Sequence, residues 1–138
     1  MTIEELEAFK GMRAEVLAIQ REIETLYAPI SSPNGHTEGG HSTTPGNPTE
    51  RAAMMIMERK AALESKVMAM QEALEGIESW LETIEDSKLR ACIRWHYLNG
   101  LNWKQTNMRV FGYPNPYRAR KKVMRYFEKV AVVQNVKS

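Results

Sequence analysis

Residues 87–131, SKLRACIRWHYLNGLNWKQTNMRVFGYPNPYRARKKVMRYFEKVA, decide the fold of this chain. Asp86 and Ser87 stand before them as helix-capping residues. Leu89, Ile93, Tyr97 and Leu98, with Cys92 beside them, mark the inner side of a helix running to about Asn99. Asn99-Gly100 stops that helix, with glycine where a left-handed residue is needed. Leu101 leads into Asn102, the predicted N-cap of a short helix over 103–111, which Gly112 ends. Tyr113-Pro114 then form a turn. Asn115 caps a third helix with Pro116 at its first position, where a missing amide proton does no harm. Three helices in so short a stretch, the last two joined by a tight turn, have helix-turn-helix spacing, and the last helix is the expected reader of DNA.

The helical wheel of that last helix supports this. Ala119, Val123, Tyr126, Phe127 and Val130 share one face. Arg118, Lys121, Lys122 and Arg125 fall roughly opposite, Tyr117 lies on the flank near the helix N-terminus, and Arg120 is expected to border the buried side. The first residues of a recognition helix reach base edges in the major groove. Tyr117, Arg118 and Lys121 are therefore the base-reading candidates, and Lys122 and Arg125 the phosphate contacts. Lys104 and Gln105 are placed to touch the backbone beside the groove. The competing explanation is a basic face that serves only solubility. Trp95, Tyr97 and Trp103 could stack single-stranded bases, but a unit this short needs aromatic residues for its own core.

Charge separates this region from the rest. Residues 1–86 hold 7 Lys/Arg against 16 Asp/Glu, a net of −9, and residues 87–138 hold 12 against 1, a net of +11. Such asymmetry points to a two-part molecule with one part facing a polyanion. Hydrophobic residues make up 43% of the chain, which excludes disorder throughout. The single cysteine, Cys92, allows no intramolecular disulfide. The acidic start lacks the apolar segment of a secretory signal, and no apolar run has the length of a membrane span. A cytoplasmic protein without membrane contact is expected.

The acidic part reads as two long helices. Thr2 and Glu5 form a capping box, and Phe9, Met12, Val16, Ile19, Ile23, Leu26 and Ile30 then recur every 3 or 4 residues. Pro29 argues against helix as far as Ile30. Residues 28–49, rich in Gly, Pro, Ser and Thr, form the predicted linker. His36, Glu38 and His41 lie in it without metal-site spacing, so no metal is expected. The second helix runs from about Thr49 to about Glu85 on Ala53, Ile56, Leu63, Val67, Met70, Leu74, Ile77, Leu81 and Ile84, with Lys60 alone interrupting the seam. The expected fold is all-α. An antiparallel hairpin over 1–86 precedes a helix-turn-helix unit over 87–131 and a tail over 132–138. Met54, Met55, Met57 and Met68 widen the apolar face of the second helix beyond what one partner helix covers, which predicts a homo-oligomer, a dimer first.

The stretch RWHYLNGLNWKQTNMRVFGYPNPYRARKKVMRYFEK, residues 94–129, resembles the region-4-like helix-turn-helix of sigma factors. Tyr97, Gly100, Leu101 and Trp103 are part of that likeness. The whole chain is similar to small phage and prophage proteins of Gram-positive bacteria, in which a coiled-coil hairpin and a polar link precede this motif. The resemblance implies a late-gene transcription regulator in the bacterial host cytoplasm that binds double-stranded DNA. Thr106-Asn107 departs from the Ile-Ala usual in the middle of the first motif helix, and Asn107 there predicts looser or shifted packing of the two helices. The parts of a sigma factor that melt promoter DNA are absent, which implies an accessory regulator.

Two other functions stay open. A small-terminase-like packaging protein also joins such a motif to an oligomerising part, but as a ring. A protein-interaction module would bind a partner such as RNA polymerase, with weak DNA binding. No enzyme is expected. Glu128 is the one carboxylate beyond Asp86, Cys92 with His96 is more simply read as a buried thiol than as a nucleophile and its base, and no glycine-rich phosphate loop follows a strand, so no cofactor is expected.

Overall fold

A computed structural model of the chain describes the backbone of residues 1–31 and 47–137, and the side chains of 1–27 and 49–133. Its elements are α1 (Ile3–Ser31), α2 (Asn47–Leu81), α3 (Ser87–Ile93) continued by a π-helical turn (Arg94–Leu98), α4 (Trp103–Phe111) and α5 (Arg118–Lys137). No strand occurs among the described residues, and the fold is all-α. None of these helices is long and apolar enough to cross a membrane.

Helix boundaries follow the local chemistry, with three departures from expectation. The amide of Glu5 donates to Thr2 Oγ1, fixing the start of α1. α1 then passes through Pro29 to Ser31. A proline this close to a helix end removes one of the last intrahelical bonds and leaves the preceding turns intact. Of the predicted linker 28–49, residues 28–31 and 47–49 are helical, while His36, Glu38 and His41 lie outside the described residues. At the other end, the expected tail 132–138 is helical to Lys137.

The described residues form two compact units. The smaller unit, Ala14–Ala69, is a pair of antiparallel helical segments. Glu15 pairs with Lys66 at 3.1 Å and Glu22 with Arg59 at 2.7 Å, so seven residues forward on α1 are matched by seven back on α2. Val16, Ile19, Ile23 and Ile56 are buried along the seam, and Lys60 lies over the Tyr27 ring instead of entering it. Met54, Met57 and Met68 are 61%, 70% and 64% exposed, so the apolar face that the sequence shows on α2 is largely uncovered within the chain.

The larger unit combines Met1–Arg13 with Met70–Ser138. It therefore extends beyond the boundary expected at residue 86. The reason is a shared core in which Leu6, Phe9, Ile77, Leu81 and Ile84 are buried together with Leu89, Cys92, Ile93, Tyr97, Ala119 and Val123. Three short helices bury too little apolar surface by themselves. Each large aliphatic side chain added from α1 and α2 contributes about 1.5–3 kcal/mol. Trp80 of α2 stacks on Phe127 of α5 at 5.8 Å, and Glu78 grips the Arg94 guanidinium through two bonds of 2.7 Å.

Candidate nucleic-acid interface

The three C-terminal helices are set by their caps. Asp86 accepts the amides of Lys88 and Leu89 at the start of α3, and its carboxylate sits below its ordinary pKa, chiefly through its hydrogen bond to Lys122. The Arg90 guanidinium donates to the Ile84 and Glu85 carbonyls, closing the turn out of α2. At Gly100 the backbone is left-handed (φ 76°), and a Cβ there would collide with the Arg13 guanidinium. Asn102 and Gln105 form a capping box at the start of α4. Gly112 ends α4 in the left-handed region, and Asn115 Oδ1 accepts the amides of Tyr117 and Arg118. Helical geometry is regular from Arg118, two residues after the expected start at Pro116, although the Asn115 contacts are those of an N-cap.

Asn107 ties the turn together. It is fully buried, donates from Nδ2 to the Tyr113 carbonyl at 2.8 Å, and accepts the Ala119 amide on Oδ1 at 3.0 Å. The looser packing expected from an asparagine here is therefore corrected. Its amide replaces a small apolar contact with two directed bonds that fix α4, the turn and α5 to one another.

On that frame the candidate residues separate. Tyr117, Arg118, Lys121 and Arg125 are all exposed, as are Lys104 and Gln105. The Gln105 side chain is committed to its capping box, and Lys104 is exposed at the start of α4 with no ion pair among the described residues. Arg118 lies over the Phe111 ring at 4.0 Å and donates to the Tyr113 hydroxyl at 3.0 Å, so its guanidinium is held in place. Lys122 is only partly exposed and pairs with Asp86 at 2.8 Å. Arg120, expected at the buried border, is exposed. By helical angle it lies on the flank of α5 between Val123 and Met124, while Tyr117, Lys121 and Glu128 face away from Ala119 and Val123. A second flank, carrying Arg118, Lys122, Arg125 and Lys129, lines a groove of about 870 Å³ whose other residues include Thr83, Ile84, Glu85, Asp86, Leu89, Phe111 and Tyr126.

The aromatic residues of α3 and α4 are structural. Tyr97 is fully buried, and Trp103 stacks on His96 at 3.6 Å. Trp95 is capped by the Arg109 guanidinium at 5.0 Å. His96, which the sequence did not place in the core, is buried, with Nδ1 bound to the Leu101 carbonyl and Nε2 accepting from Lys10. Burial and the adjacent Lys10 charge push its pKa down to about 4. Burial likewise pushes the Cys92 thiol up to about 11. Near neutral pH the pair is thus a protonated thiol and a neutral imidazole already engaged by other groups. Among the described residues no three His, Cys, Asp or Glu side chains gather as a metal site.

No protein-family model, curated protein or solved structure matches this chain.

Proposed function

We propose that the protein binds duplex DNA through α5, as a transcriptional regulator of the phage type that the sequence resembles. The observation that carries this is the exposed surface of α5, where Tyr117 and Lys121 face outward and Arg120 is exposed on the flank, on a helix oriented by the Asn107 clamp. They stand in a segment, 87–138, that has a net charge of +11. Arg120 and Lys121 can donate to guanine edges in the major groove, and Tyr117 offers a ring and a hydroxyl at the helix start. Lys104 and the held Arg118 supply phosphate contacts on either side.

Two copies joined through the exposed Met54, Met57 and Met68 stripe would present two such helices to an inverted repeat.

The test is binding of the full chain to random-sequence duplex over a salt series, with Arg120→Glu/Lys121→Glu as the control. The expected result is a log–log slope of several phosphates, at about 0.9 per phosphate, with affinity reduced about tenfold or more in the variant. A folded wild-type protein that fails to bind at low salt would refute the proposal and favour the protein-interaction alternative.

A further inference from the structure

The groove beside α5 has a chemistry that duplex DNA does not use. One wall is cationic, with Lys121, Arg125 and Lys129 exposed and in no ion pair among the described residues. The floor is apolar, formed by the half-buried Phe111 and Tyr126 above the buried Ile84 and Leu89, with Arg118 lying on one face of the Phe111 ring. Lys122 is already neutralised by Asp86 at the rim, and Glu85 lies near it. A sugar-phosphate backbone would satisfy the cations and leave the apolar floor uncovered. A peptide carrying carboxylates on one side and large apolar side chains on the other would satisfy both. The volume, about 870 Å³, suits a few anchoring side chains rather than a whole domain.

We propose that this groove is a docking site for an acidic amphipathic helix of a protein partner, with leucine- or phenylalanine-type anchors on the Phe111–Tyr126 floor and carboxylates on Arg125 and Lys129. The site adjoins the outward side of α5, sharing Tyr117 and Lys121 with it and Arg118 with the proposed phosphate contacts, but its argument does not depend on the DNA-binding proposal.

The experiment uses the full-length protein and two fluorescent synthetic peptides of equal length. One is an acidic amphipathic helix with Leu or Phe at positions i, i+3, i+4 and i+7; the other is poly-glutamate. Anisotropy should show the amphipathic peptide binding about tenfold or more tighter than poly-glutamate, a difference of about 1.4 kcal/mol. Replacing its Leu and Phe residues by Ala should remove that advantage without any change to the protein. Arg125→Glu/Lys129→Glu, checked for native helicity, should weaken the peptide about tenfold, while Arg120→Glu leaves it within about twofold. Equal binding of the two peptides, no binding of either, or indifference to Arg125→Glu/Lys129→Glu would overturn the proposal. So would a loss of duplex binding in Arg125→Glu/Lys129→Glu as large as that in Arg120→Glu/Lys121→Glu, because the groove would then be a flank of the DNA site. If peptide docking fails while duplex binding survives, the DNA proposal stands alone, and the reverse holds equally.

Discussion

The two units of this protein bury their apolar residues in different ways. In the larger unit Leu6, Leu81, Ile93, Tyr97 and Val123 are completely enclosed by side chains from five helices, and the core is tied by a bidentate ion pair and by caps. In the smaller unit a single seam of Val16, Ile19, Ile23 and Ile56 lies between two helical segments, with methionines exposed on another side of α2. A helix pair can cover one stripe on each helix and no more. The difference teaches that many helices enclose the core of the larger unit, whereas two helical segments leave methionines of the smaller one exposed.

The comparison can be broken most directly by cutting into both cores. Ile93→Ala should destabilise the larger unit by about 3–5 kcal/mol, because a fully enclosed site cannot collapse around the lost volume. Ile19→Ala, in a seam open to solvent on both sides, should cost about 2 kcal/mol or less. Urea titrations of both variants check this, and equal costs would mean that the two units are packed alike.

Next in size is the clamp. Asn107→Ala installs the small residue found at this place in the motif the sequence resembles, and it leaves the Tyr113 carbonyl and Ala119 amide without their partner. A loss of about 1–3 kcal/mol is expected. Duplex affinity should fall as well, because α5 loses its fixed angle to α4. A variant as stable as the parent would show that the two bonds do not hold the turn.

His96 gives the larger unit a pH effect. His96 has its pKa lowered from 6.5 to about 4 in the folded chain, so the native state favours the neutral imidazole. The stability it contributes is complete above pH 6.5 and is lost as the pH falls toward 4. By pH 5 about 2 kcal/mol should be gone, and His96→Gln should flatten that slope in denaturation curves measured between pH 7 and pH 5. Glu78 and Asp86 have lowered pKa values through Arg94 and Lys122, and what they contribute is present above their ordinary values of 4.5 and 3.8 and lost below. The Glu78 and Arg94 side chains are 41% and 40% exposed, so Glu78→Gln should cost only about 1 kcal/mol or less.

Much of this was legible in the sequence because it is local. Asp86, Asn102, Gly100 and Gly112 announce helix ends through the chemistry of one or two residues, and the structure places each as a cap or stop. The 3-and-4 spacing identified the buried sides of α1, α2 and α5. What escaped depends on contacts between distant segments. Nothing near Lys122 reveals that Asp86 holds it. Nothing near His96 reveals Lys10 beside its ring. Asn107 read as a sign of looser or shifted packing because its two partners, Tyr113 and Ala119, lie in and beyond the turn. The boundary at 86 was drawn from charge, yet the core that unites Leu6 and Leu81 with Tyr97 is apolar and ignores that change of sign.

The most direct test of DNA binding through the outward side of α5 is a duplex titration of the protein carrying ¹³C-methyl methionine. Met124 lies on α5 near Arg120 and Lys121, while Met54, Met57 and Met68 report on the smaller unit. Binding as proposed predicts that the Met124 resonance shifts with added duplex and that those of Met54, Met57 and Met68 stay in place. A Met124 resonance that does not move while the duplex is bound, or shifts confined to the methionines of α2, would contradict it.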